Sequence, residues 1–130
     1  MTLVVDANVA HWACVDAARF EQLGDELVAP PLLWSEVISS LHEAVWRREV
    51  SNPAADAVRS ALRRSPIQRR THSRLHDKAW RIAEELGWAK TYDAEYLALA
   101  DLLTTRVVTL DARLRRGADR LGLVVAVHEL

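Results

Sequence analysis

The chain has 130 residues, half of them hydrophobic, and a formal net charge of −1. That length fits one domain with a sizeable core and leaves no room for two, and the near-neutral charge excludes a generic polyanion binder. The single cysteine, Cys14, excludes an intramolecular disulfide and suits a reducing compartment.

The chain opens without the basic-then-apolar pattern of a secretory leader. No apolar run approaches membrane-spanning length, so a cytoplasmic protein is expected. Residues 3–5 form a short apolar run, expected as a strand buried on both faces. Residues 27–29 form a second, stopped by Pro30-Pro31, which also start a helix well because proline is tolerated in a first turn. That helix is expected over 32–48. Ser51-Asn52-Pro53 resets the chain for another through about 62, and Ser65-Pro66 breaks again. Residues 67–71 suit a short edge strand. Thr71 or Ser73 is a candidate cap for a helix ending at Gly87, a glycine placed for a left-handed C-terminus. A helix over 93–103, a strand over 107–110, a helix over 111–121 stopped by Gly122, and a last strand over 123–127 complete the chain. Strands alternating with helices predict an α/β fold: a central parallel sheet of four to five short strands with helices on both faces.

Four acidic residues stand out against this framework. Asp6 ends the first apolar run and Asp111 the run 107–110; Glu36 sits within the helix over 32–48; Asp93 opens the apolar helix after Tyr92. Ordinary structural roles are available to them. Asp6 before Ala7-Asn8-Val9 and Asp111 before Ala112-Arg113-Leu114 are natural helix caps, and Asp93 suits the positive end of a helix dipole. Two positions fit that explanation less well. Asp93 shares a face, at spacings of three and four, with Tyr96, Leu97, Ala100 and Leu103, a stripe otherwise fit for the core. Glu36 lies at the edge of the face carrying Trp34, Val37 and Leu41, either at the solvent boundary or turned toward a polar cavity. Ligands of parallel sheets bind beyond the carboxyl ends of the strands. Asp6 and Asp111 both fall there, and share one crevice if their strands are neighbours. Four carboxylates crowded together require a cation, and oxygen-only donors favour Mg²⁺ or Mn²⁺. Asn8 and Thr109 offer an amide and a hydroxyl to water around such an ion.

The segments Val4-Val5-Asp6-Ala7-Asn8-Val9, Glu36 in the second helix, Thr91-Tyr92-Asp93-Ala94-Glu95-Tyr96-Leu97-Ala98-Leu99-Ala100 and Val108-Thr109-Leu110-Asp111 resemble the PIN-domain ribonucleases, above all the VapC toxins of bacterial toxin–antitoxin pairs. The resemblance covers essentially the whole chain, in order and at matching spacing. It implies one PIN-like domain over 1–130 and a catalytic quartet of Asp6, Glu36, Asp93 and Asp111, with Asn8 and Thr109 as polar helpers. It also implies Mg²⁺ or Mn²⁺ as cofactor and hydrolysis of RNA phosphodiester bonds. Homodimers and a cognate antitoxin that silences the toxin in a heterotetramer or larger assembly belong to the same expectation. Asp6, Asp93 and Asp111 are the expected metal ligands, directly or through water; Glu36 binds water beside the ion or acts as general base. One departure is Glu95, two residues after Asp93, where an apolar residue is common.

Other features have competing readings. Arg59, Arg63, Arg64, Arg69, Arg70, Arg74, Lys78 and Arg81 make a basic stretch opposed within it only by Asp77, which suits either an RNA backbone or a solvated surface. Arg113, Arg115 and Arg116 follow Asp111 closely and are nearer candidates for phosphate contacts. His72 and His76, four residues apart, match zinc spacing but lack a third ligand. Trp12, Trp34, Trp46, Trp80 and Trp88 are expected in core or interface, with Trp34 and Trp46 on one helix suited to dimer or antitoxin contacts. Cys14 reads as a small core residue. Two rivals remain: a phospho-receiver-like domain, which leaves Glu36 unexplained, and a catalytically silent PIN-like scaffold that binds RNA or protein.

Overall fold

The computed structural model describes residues 1–24 and 26–130. Five strands form one wholly parallel sheet: β1 (Thr2–Val5), β2 (Glu26–Ala29), β3 (Ile67–Arg69), β4 (Val107–Thr109) and β5 (Val124–Ala126). Their order is β3-β2-β1-β4-β5. The helices are α1 (Ala7–Val15), α2 (Leu32–Trp46), α3 (Asn52–Arg63), α4 (Leu75–Leu86), α5 (Tyr92–Leu102) and α6 (Ala112–Ala118), with short 3₁₀ turns at Ala17–Leu23, Asp119–Leu121 and Val127–Glu129.

Successive strand residues point to opposite faces. In β1, Leu3, Val4 and Val5 are all buried, as are Val107 and Val108 of β4, so both faces of the sheet are covered. α5 lies on β1 and β4, α4 packs on α5, and α1 packs against α2 and α3. The chain fills the β2–β3 side of β1 first and then crosses to β4 and β5. The switch point of the sheet is therefore between β1 and β4, where Val4 pairs with Val107 and Val5 with Val108. One residue beyond this register stand Asp6 and Thr109. Among the described residues no helix is long and apolar enough to cross a membrane.

Element boundaries depart from expectation where local chemistry decides them. α2 ends at Trp46 rather than Arg48, because Arg48 takes a left-handed conformation at φ 61° and closes the helix. Neither Thr71 nor Ser73 caps α4. Its N-cap is Arg74, without a side-chain cap bond, and His72 Nδ1 instead accepts the Arg74 N–H at 3.0 Å. His72 thus precedes the helix and does not share a helical face with His76. The expected helix over 111–121 is α6 followed by a 3₁₀ turn.

Candidate active site

Asp6 is 5% exposed and caps α1, its Oδ1 accepting the Val9 N–H at 2.9 Å. Its Oδ2 accepts the hydroxyl of buried Thr109. The same Thr109 oxygen accepts the backbone N–H of Asp111 at 2.9 Å, so a hydrogen-bonded chain crosses from β1 to the turn after β4. Asp111 caps α6, Oδ1 accepting from Arg113 and Leu114 at 2.9 and 3.3 Å. Both aspartates therefore serve as caps and still keep carboxylate at the switch point.

The other two acids arrive on helices. Asp93 lies in the first turn of α5 and is exposed. One turn on, Tyr96 is 1% exposed. A buried phenol needs a partner, and it donates to Glu36 Oε1 on half-buried α2 residue 36. That bond ties α5 to α2.

Asp6, Asp93 and Glu36 are all raised in pKa. Burial raises the Asp6 pKa to about 6; hydrogen bonds from Thr109 and Val9 oppose this, and the charges of Asp111 and Asp93 add to it. Asp93 is raised by partial desolvation and by Asp111, with Arg113 pulling the other way. Glu36 is raised by desolvation, lowered by the Tyr96 hydrogen bond, and raised by Asp93 and Glu95. Burial, then the bond to Glu36 and its charge, hold the Tyr96 phenol far above its ordinary value, so it is a neutral donor.

Glu36, Asp93 and Asp111 open onto one crevice of about 550 Å³, whose wall also carries Trp88, Lys90, Tyr92 and Arg113. Asp6 is buried and does not line it. Among the described residues no group of three or more His, Cys, Asp or Glu side chains stands as a ready-made metal cage. The donor set nonetheless fits a hard cation. It is all oxygen, Asp111 and Asp93 add negative charge beside Asp6, and Mg²⁺ commonly takes only one or two carboxylates with water and substrate oxygens completing its shell.

Other expected site residues stand elsewhere. Asn8 is exposed in the first turn of α1 and makes no side-chain hydrogen bond to a described residue. Arg113 reaches the crevice, but Arg115 pairs with Glu129 at 2.5 Å and Arg116 is exposed outside the crevice wall. Glu95 lies 3.7 Å from His76, and its charge reaches Glu36. In the basic stretch, Arg59 pairs with Asp56, Lys78 with Asp101 at 2.5 Å, and Arg69 stacks over Trp34 at 4.7 Å. Among the described residues no tryptophan is fully buried, and Trp46 and Trp80 are 77% and 66% exposed. Cys14 is buried, its thiol pushed up to about 11 by desolvation.

Sequence reasoning placed Tyr96 only in a core stripe and passed over Lys90 and Tyr92 as site residues. The signal for Tyr96 was its hydroxyl, which the interior of an apolar helix cannot satisfy alone.

Comparison with known proteins agrees with this geometry. The PIN domain family model matches residues 3–120. VapC ribonuclease Mb0985 of Mycobacterium bovis and ribonuclease VapC9 of Mycobacterium tuberculosis are each 34% identical over 116 residues, covering 86% of this chain and 87% of theirs. Ribonuclease VapC1 of Mycobacterium tuberculosis is 38% identical over 87 residues, 66% of this chain and 63% of its own. The crystal structure of PAE2754 from Pyrobaculum aerophilum superposes with a TM-score of 0.76 at 20% identity, over 98% of this chain and 93% of that one. The chain belongs to the PIN-domain family and, within it, to the VapC ribonucleases.

Proposed function

We propose that the chain, as one PIN-like domain, is a metal-dependent endoribonuclease, the toxin of a toxin–antitoxin pair. The observation that carries this reading is the opening of Glu36, Asp93 and Asp111, from three different elements, onto one crevice, with Asp6 buried beside it at the β1–β4 switch point and within reach of the charges of Asp111 and Asp93. Relatives named ribonuclease along most of the chain support the same chemistry.

Asp6, Asp93 and Asp111 are the residues that would hold Mg²⁺ or Mn²⁺, directly or through water. Such an ion supplies a more acidic water and positive charge for the phosphoryl oxygens. Thr109 keeps Asp6 and the Asp111 backbone in register. Glu36 has Oε1 committed to Tyr96, which leaves Oε2 to hold a water or take its proton. Its raised pKa makes it a stronger proton acceptor than an ordinary carboxylate. On this reading the protein works in the cytoplasm, where its RNA substrate is.

The toxin reading brings a cognate antitoxin and a homodimer, assembled as a heterotetramer or larger. Supporting a protein partner, Trp34, Ile38, His42 and Trp46 line an open groove of about 740 Å³ along α2. Large exposed apolar surface of this kind marks contact with another chain.

The test is cleavage of total RNA from the protein's own source by partner-free chain, with Mg²⁺ or Mn²⁺ and with EDTA, beside Asp6→Ala and Asp93→Ala. Discrete metal-dependent fragments, lost in both folded variants, are expected. No cleavage by metal-replete wild type would leave the silent RNA- or protein-binding scaffold as the better reading.

A further inference from the structure

The carboxylates account for the floor of the crevice but not for its rim. The segment between α4 and α5 puts Trp88, Lys90 and Tyr92 into the wall, and Arg113 faces them from α6. Tyr92 is 54% exposed, where no packing demand explains an aromatic. Lys90 is exposed and has no ion-pair partner among the described residues. Trp88 is half-buried against α6, close enough to Gly117 that a Cβ there would stand 3.2 Å from its Cζ2. The lack of a side chain at Gly117 thus lets the indole sit in the wall.

Phosphates entering an acid-floored crevice are repelled unless cations meet them. Lys90 and Arg113 are the cations of this wall. Arg113 is already biased toward Asp93, whose pKa it lowers. Aromatic faces beside cations match an unpaired base with its phosphate. A duplex keeps its bases stacked on each other and offers no face to Tyr92.

Resting on the nuclease reading, we propose that Tyr92, Trp88, Lys90 and Arg113 form a nucleotide subsite at the crevice rim. An unpaired base of the substrate stacks on Tyr92 beside Trp88, and an adjacent phosphate is held by Lys90 and Arg113. The subsite makes the crevice select for RNA that exposes an unstacked base next to the scissile bond.

The test uses the full chain carrying Asp6→Asn, so that bound RNA stays intact. The probes are a labelled mixed-sequence pool of short unstructured RNAs and a blunt RNA duplex. The unstructured pool is expected to bind more tightly than the duplex. Tyr92→Ala should weaken that binding about tenfold, and Tyr92→Phe should restore it. Lys90→Ala should reduce the slope of log affinity against log salt by about one. All three substitutions are at exposed positions and should leave the melting temperature in place. Equal binding of pool and duplex, or unchanged binding by Tyr92→Ala and Lys90→Ala, overturns the subsite. If the chain with Asp6 intact still cleaves cellular RNA in that case, the nuclease reading stands alone. Neither binding nor cleavage overturns that reading, and the subsite with it.

Discussion

Asp6 carries the clearest conflict between stability and function. Its carboxyl is buried, and its pKa is raised from 3.8 to about 6. Between those values the folded chain retains a proton that the unfolded chain has released. Stability from this group is therefore full below about pH 4 and is lost as pH rises through about 6. A shift of this size corresponds to roughly 3 kcal/mol at 1.36 kcal/mol per pKa unit. Asp6→Asn cannot ionise and keeps an oxygen for the Val9 N–H. In EDTA at about pH 8 it should be the more stable protein by up to that amount, with the advantage gone near pH 4. Urea melts at the two pH values check this, and an advantage of equal size at both would refute the buried-charge account. The variant should be inactive, as expected where function keeps a costly group. Tyr96 is the second residue to test. Tyr96→Phe removes the donor to Glu36 and nothing else of the ring. Glu36 then loses the bond that orients its carboxylate and lowers its pKa, so more of it stays protonated and cannot take a proton. A bond to a charged group is worth about 1.5–3 kcal/mol, so kcat should fall about tenfold or more while KM holds. In a Glu36→Gln background the same change should cost little; an undiminished loss there would mean that Tyr96 acts through packing rather than through Glu36.

At the scale of elements, Asp111 does two jobs that separate by substitution. As the α6 N-cap it accepts two backbone N–H groups. Asp111→Asn keeps an oxygen for them, whereas Asp111→Ala loses the cap at a typical cost of about 1 kcal/mol. Both should abolish cleavage, but only the alanine variant should melt early. Equal melting temperatures for the two would show that the cap contributes nothing. The strands, the helix order and four of the caps were legible from the sequence because their signals are local: apolar runs, Pro53 in a first turn, Asp6 and Asp111 before helices, Gly87 and Gly122 at left-handed ends. What was not legible depends on distant partners. The adjacency of β1 and β4 spans a hundred residues of chain, so a shared crevice for Asp6 and Asp111 was only conditional on sequence grounds. The Tyr96–Glu36 bond links positions 60 residues apart. Helical spacing alone also paired His72 with His76, although His72 lies before α4 and bonds the turn instead.

For the whole molecule, α2 borders both the crevice proposed as the active site and an outer face. Glu36 turns inward to Tyr96, while Trp34, Ile38 and Trp46 of the same helix line the open groove, with Ile38 and Trp46 40% and 77% exposed. Ser35 of that groove directly precedes Glu36 and Ser39 lies about one turn after it, so a chain seated along α2 lies close to Glu36. The groove is lined by two tryptophans and an isoleucine, and exposed tryptophans contribute strongly to recognition by contact. On the proposed reading the antitoxin occupies this groove and silences the nuclease from there. Ile38→Glu combined with Trp46→Ala should abolish co-purification with the antitoxin encoded beside the gene while RNA cleavage by the isolated chain persists. Cleavage by the variant should also resist added antitoxin. Retained inhibition would move the antitoxin contact elsewhere, and loss of cleavage in a folded variant would mean that the groove serves the RNA itself. Because neither substituted side chain lines the crevice wall, binding and catalysis can be scored separately on one protein.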